Sequence, residues 1–306
     1  MKCLFIYNPV GGNGKIAKKK DYIVGELKQK YDEVDAYATQ CAGDMARTAR
    51  EAAGKYDIIV FAGGDGSFNE ILQGIADLEE TPVLGYIPSG TTNDMGHTLK
   101  ISSNLKKALD VIKNGEVQAI DCMKANNRYA IYVVTAGAFT SATYNASQIQ
   151  KNHIGRIAYG LEGIKHNLKF QEFFINCATH DGEVETEGCV FIAFLNSKYV
   201  AGFKMNRKAD VQDGKIEAVI IHRSGKRNIF KKIASYFALA GLFLFGYHSR
   251  LRNTTRMEGR VFDVCIDDGV MWNLDGEKGF PGNIHVEVVP NKIKIMLPKK
   301  KKEKRR

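Results

Sequence analysis

Through the first 125 residues, apolar runs short enough to be strands alternate with segments that repeat at helical spacing. Strands are predicted at Cys3–Tyr7, Glu33–Ala38, Ile58–Ala62, Val83–Ile87 and Ala119–Met123, and helices at Lys18–Lys30, Gly43–Ala53, Phe68–Ala76 and Asn104–Lys113. This alternation argues for a parallel sheet covered by helices on both faces. Ligands of such sheets bind in the crevice at the carboxyl ends of the strands. Three loops fall there: Asn8–Lys15 after the first strand, Gly63–Ser67 after the third, and Ser89–Asp94 after the fourth.

Beyond about residue 125 the pattern changes to β-type runs, at Arg128–Ala136, Gln171–Cys177, Cys189–Leu195, Ile216–Ile221, Gly259–Ile266, Val270–Leu274, His285–Val289 and Lys292–Met296. Asp-Gly pairs at 181–182, 213–214 and 275–276 punctuate them as turns. The expected architecture is α/β. A Rossmann-like nucleotide-binding domain (residues 1–125) precedes an antiparallel β-sandwich (126–290), and a last strand at 291–298 rejoins the first domain. Helices are expected near Ile154–Asn167 and Asn228–Phe245.

The formal net charge is +10, and the tail from Lys299 to Arg306 holds seven Lys or Arg and a single Glu. Such a run is a solvated end or an attraction for anionic lipid headgroups. A nucleic-acid partner is not expected, because no basic motif interleaved with aromatics is present. The six cysteines show no metal-ligand spacing, and the first strand begins at Cys3, so they read as buried, reduced thiols of a cytoplasmic protein. The longest apolar stretch, Ile233–Phe245, falls short of the ~20 residues a membrane span needs. It suits either an interfacial helix, placing the protein at the inner membrane surface, or a core helix of the second domain.

Gly63-Gly64-Asp65-Gly66-Ser67 is the most informative stretch. Its glycines let backbone N–H groups approach an anion, and the following helix adds positive partial charge. A carboxylate in the middle would repel a phosphate unless Mg²⁺ were present, when it becomes an anchor. Asn8–Lys15 is a turn or a second phosphate loop, and it is not a Walker A motif, since Ile16 stands where Ser or Thr is required. Ser89–Asp94 is either a helix-capping cluster or another wall of the same pocket. Asp121, read as the end of a fifth strand on the same sheet edge, would join Asp65 and Asp94 around metal-bound water. Asp275-Gly276-Glu277 by itself reads first as a hairpin turn, and in a phosphoryl transferase its carboxylate could be a base reaching in from the second domain.

Taken together, Asn8-Pro9 with its Gly-rich loop, Gly63–Ser67 with Asn69-Glu70, Pro88–Asp94 and Asp275–Glu277 resemble the diacylglycerol kinase catalytic family. Sphingosine and ceramide kinases belong to the same family. The resemblance implies a lipid kinase using ATP and Mg²⁺ on a lipid drawn from a membrane surface. Asn8, Thr39, Gly63, Gly64, Gly66, Ser67, Ser89 and Thr91 would contact nucleotide, with Glu277 beside nucleotide or metal. Asp65, Asp94 and Asp121 would form the acidic network around catalytic Mg²⁺, and Asp275 would be the general base. Asp210, Asp213 and the Lys215 carbonyl match a structural Mg²⁺ loop of the soluble bacterial members, though a plain hairpin fits as well. Lys151 and Arg156 are weaker candidates for phosphate contact. Competing readings are an NAD kinase, a kinase of another lipid alcohol such as a sphingoid base or polyprenol, and a non-catalytic nucleotide- or lipid-binding module. An exposed sheet edge leaves room for a homodimer.

Overall fold

The computed structural model describes residues 1–138, 172–223, 229–249 and 251–299. The expected helix at 154–167, Lys151, Arg156 and residues 300–306 lie outside the described residues.

The chain opens with β1 (Lys2–Tyr7), α1 (Lys20–Leu27), β2 (Glu33–Ala38), α2 (Asp44–Ala52), β3 (Ile58–Gly63), α3 (Asp65–Ile75), β4 (Val83–Pro88), α4 (Asp94–Thr98), α5 (Leu105–Asn114) and β5 (Glu116–Ala125). Strands β1 to β4 pair in parallel in the order β2-β1-β3-β4. The chain leaves β1 toward one side for β2 and toward the other for β3, which makes the gap between β1 and β3 the topological switch point. Phe61 and Tyr86 stack at 4.9 Å, and Phe68 meets both edge-on, fixing α3 on the sheet. Asn104 ends the loop before α5 by accepting a hydrogen bond from the Lys107 amide.

The remainder comprises β6 (Arg128–Ala130), β7 (Val133–Gly137), β8 (Phe173–Thr179), β9 (Gly182–Leu195), β10 (Ile216–His222), α6 (Ile229–Phe245), β11 (Thr254–Gly259), β12 (Val261–Ile266), β13 (Met271–Leu274), β14 (Glu277–Pro281) and β15 (Ile284–Leu297). These strands form an antiparallel β-sandwich around Trp272, Phe194 and Phe262. Burial alternates along β12, as one-sided strands require.

β15 belongs to both halves. Its first part pairs with β12, and its second part pairs with β4 in parallel at Ile295 and Leu84. The two strands predicted at 285–289 and 292–296 are therefore one, bent by an irregularity between Val289 and Ile293. Conversely, the single run predicted at 128–136 divides into β6 and β7, because the amides of Ile131, Tyr132 and Val133 turn aside to bind Asp275. Cys41 and Cys265 are exposed, contrary to the expectation of six buried thiols, since Cys265 holds an outward position of β12 and Cys41 precedes α2. Among the described residues, no helix is long and apolar enough to cross a membrane.

Candidate active site

The loops after β1 and β3 emerge at the switch point, and the loop after β4 closes over them. Asn8 shapes the first by accepting from the Val10 and Gly11 amides at 3.0 and 3.2 Å. Gly12 (φ 57) is so close that a Cβ there would lie 3.0 Å from the Ser89 carbonyl oxygen. Thr39 joins at the end of β2, donating its N–H to the Tyr7 carbonyl. A Cβ on Gly90 would lie 2.5 Å from Gly64 Cα, so the second and third loops touch backbone to backbone. The Ser67 side chain occupies the space above Gly63. A cavity of about 380 Å³, lined by Gly12, Lys15, Lys19, Ser89, Gly90 and Asn104, opens beside them.

Asp65 begins α3, and its carboxylate ties the loops together rather than capping its own helix. It accepts from the Met95 amide at 3.0 Å and from the Thr92 hydroxyl at 3.0 Å. Asn93 (φ 50) holds Gly90 by accepting its N–H at 2.8 Å and donating to its carbonyl at 2.9 Å. Asp94, 1 % exposed, accepts from the Gly202 amide at 2.8 Å. The Ser89–Asp94 stretch is thus both a helix start and a wall of the crevice.

Asp275 and Gly276 form a two-residue hairpin between β13 and β14, with positive φ at both (52° and 88°). That is the primed turn a right-handed twist favours. The turn and site readings of this pair hold at once. The Asp275 carboxylate is buried and points back to α3. Its Oδ2 accepts from Asn69 Nδ2 at 2.7 Å and the Ile131 amide at 2.6 Å, and its Oδ1 from the Tyr132 and Val133 amides at 3.0 Å each. Burial raises its pKa to about 6, against the lowering effect of those four donors. Glu277 is exposed, and its Oε1 lies 4.0 Å from where a Gly66 Cβ would stand. Asp275 thus meets α3 at Asn69, one turn after Asp65, and Glu277 stands beside Gly66.

Asp121 is not at the sheet edge of Asp65 and Asp94, although Asn196 Nδ2 bridges its carbonyl to that of Ile131, whose amide binds Asp275. The expectation that it shares a sheet edge with Asp65 and Asp94 is corrected by strand direction: β5 runs antiparallel to β15, whereas β4 runs parallel to it. The carboxyl half of β5 thereby lies level with the amino end of β4, where Thr81 donates to the Lys292 carbonyl. Asp121 is fully buried there, accepting from the Asn291 amide at 2.7 Å and the Gly214 amide at 2.8 Å. Asp210 and Asp213 are exposed on the adjoining loop, each accepting from the amide two residues on, that of Gln212 or Lys215. Partial burial raises the Asp213 pKa, with Asp210 and Asp121 adding repulsion.

The backbone-lined crevice with Lys15 and Lys19 beside it fits a polyphosphate. Among the described residues no three His, Cys, Asp or Glu side chains converge to hold a metal ion. Sequence reasoning missed Asn69 and Thr92 as site residues, although both stand inside the stretches it singled out. Asn69, four residues after Asp65 and one helical turn along α3, was the available signal.

Residues 2–125 match the family model described as the diacylglycerol kinase catalytic domain. Residues 132–297 match that of the YegS C-terminal NAD kinase beta sandwich-like domain. A diacylglycerol kinase of Bacillus subtilis (strain 168) is 32% identical, with 97% of each chain covered. One of Staphylococcus saprophyticus is 30% identical, covering 94% of this chain and 95% of the other. The crystal structure of a diacylglycerol kinase from Bacillus anthracis (strain Sterne) superposes with a TM-score of 0.74 at 20% identity, covering 97% of this chain and 96% of that one. A second structure from that organism gives 0.82 at 23% identity over 97% and 95%.

Proposed function

This chain belongs to the diacylglycerol kinase catalytic family and is a kinase, and from that premise we propose that it transfers the γ-phosphoryl group of ATP, with Mg²⁺, to a primary hydroxyl of a membrane lipid. Diacylglycerol, giving phosphatidic acid, is the substrate favoured by the relatives' names. The observation that carries the reading is the buried Asp275 carboxylate, delivered by a sandwich hairpin to the helix that begins at the glycine loop.

In this reading residues 1–125, joined by 291–298, bind nucleotide, and 126–290 present the lipid. The loop amides at Gly12, Gly63, Gly64, Gly66 and Gly90 receive the phosphates, with Asn8, Thr39, Ser67, Ser89 and Thr91 around them and Glu277 at the edge. Asp65 and Asp94 are the carboxylates that would stand behind a magnesium ion brought in by the phosphates, and such an ion would supply positive charge against that developing on the transferred group. Asp275 takes the proton of the lipid hydroxyl as its oxygen bonds to the γ-phosphorus and the bridging β–γ P–O bond breaks. All four acceptor positions of the carboxylate are filled, and three donors are backbone amides. The fourth, Asn69, is the one side-chain donor and binds Oδ2, which is the oxygen assigned to receive the proton. Positioning and electrostatics supply most of such a rate gain. Asp121 holds the 210–215 loop against Asn291, and Asp210, Asp213 and the Lys215 carbonyl would form a second cation loop there.

Labelled γ-phosphoryl transfer from ATP, measured against diacylglycerol, a sphingoid base and a polyprenol in mixed micelles with NAD⁺ in the same panel, tests the proposal. Transfer to diacylglycerol above the others is expected. Transfer to NAD⁺ alone, or to none, overturns it.

A further inference from the structure

α6 is apolar on both sides. One face, with Ser235, Ala238, Leu239 and Leu242, is buried in the protein. The other exposes Phe237 at 73 %, Leu244 at 62 % and Phe245 at 66 %. Positions 237, 244 and 245 stand seven and eight residues apart, on one stripe of the helix. No other element among the described residues exposes more than one large apolar side chain.

The loop after β9 packs against the carboxyl end of this helix. Phe203 meets Phe243 edge-on at 5.5 Å, and the Tyr247 amide donates to the Met205 carbonyl. That loop exposes Lys204, Arg207 and Lys208, while its carboxylates Asp210 and Asp213 lie at its far end, beside Asp121. The same loop reaches the active site, where the Gly202 amide binds Asp94 and the Lys198 amide binds the Thr98 hydroxyl.

From this juxtaposition of an exposed apolar stripe with three cations, we infer that the outer face of α6 and the Lys204–Lys208 loop form the surface that seats this protein on an anionic lipid bilayer. The inference rests on the lipid-kinase reading and names the docking surface that reading requires. A helix of 17 residues lies in the interface without crossing it, its aromatic side chains among the acyl chains and the lysines and arginine at headgroup level. A second copy of the chain is a poorer occupant, because two-fold pairing through α6 would bring two Lys204–Lys208 clusters toward each other.

The test is sedimentation of the full chain with vesicles of phosphatidylcholine containing 30% phosphatidylglycerol, and with phosphatidylcholine alone. Joint substitution Phe237→Ser, Leu244→Ser and Phe245→Ser should weaken partition onto the anionic vesicles at least tenfold. Transfer to a monodisperse short-chain diacylglycerol should stay within twofold, showing the fold intact. Lys204→Glu with Arg207→Glu and Lys208→Glu should remove the preference for the anionic vesicles. Unchanged partition of the serine variant overturns the inference. So does light scattering that shows a wild-type dimer and a monomeric serine variant, which assigns the face to a second copy. Wild-type protein that sediments with vesicles yet phosphorylates no lipid sinks the lipid-kinase reading instead, leaving the docking result to stand by itself.

Discussion

Asp275 accepts four hydrogen bonds and is nonetheless pushed up to about 6, because burial outweighs its donors. A base must be ionised to work, so kcat/KM should rise with unit slope as pH approaches about 6 and level off above it. An acid limb near pH 4 would contradict this, since that is where a solvated carboxylate titrates. Asn69 is one of the groups that hold the carboxylate in its charged form. Asn69→Ala should therefore move the limb to higher pH, and a profile unchanged in position would separate Asn69 from the base. Tyr132 shares the site, its hydroxyl pushed well above the ordinary value first by burial and then by Asp275, Asp65 and Asp94, so it stays protonated throughout this range.

At the scale of elements, the contact of two loops through glycine sets the shape of the nucleotide crevice. Gly90→Ala would drive a methyl group to within 2.5 Å of Gly64 Cα, where only backbone can yield. The KM for ATP should rise at least tenfold, whereas Gly66→Ala, facing only Glu277 at 4.0 Å, should change it less than threefold. Equal effects would mean that the loops do not close on the nucleotide. These loops were legible in the sequence because continuous apolar runs end abruptly in glycine. The 128–136 run was not read as two strands, since the cause of its break is a carboxylate more than 140 residues away. Asp121 was misplaced for a similar reason: apolar pattern reveals a strand but not its direction, and β5 is set by its pairing with β15. The hairpin at Asp275 was readable as a turn, and only the tertiary structure shows the same residue turned inward.

Across the whole molecule, β15 makes the parallel sheet and the sandwich one continuous path of paired strands, which fixes the hairpin of Asp275 against α3. The described surface carries an apolar helix face, and residues 299–306 carry seven Lys or Arg against one Glu. Removing residues 299–306 should reduce partition onto anionic vesicles at least tenfold at low salt, at roughly 1 kcal/mol per basic residue near the surface, and the difference should shrink at high salt. A salt-independent loss would point to a packing role for the tail. The central claim, that Asp275 is the base of a phosphoryl transfer in this cleft, is tested most directly by measuring turnover and ATP binding side by side for Asp275→Asn. Turnover should fall by at least a thousandfold while ATP affinity stays within about threefold of wild type; turnover close to that of wild type would contradict the account.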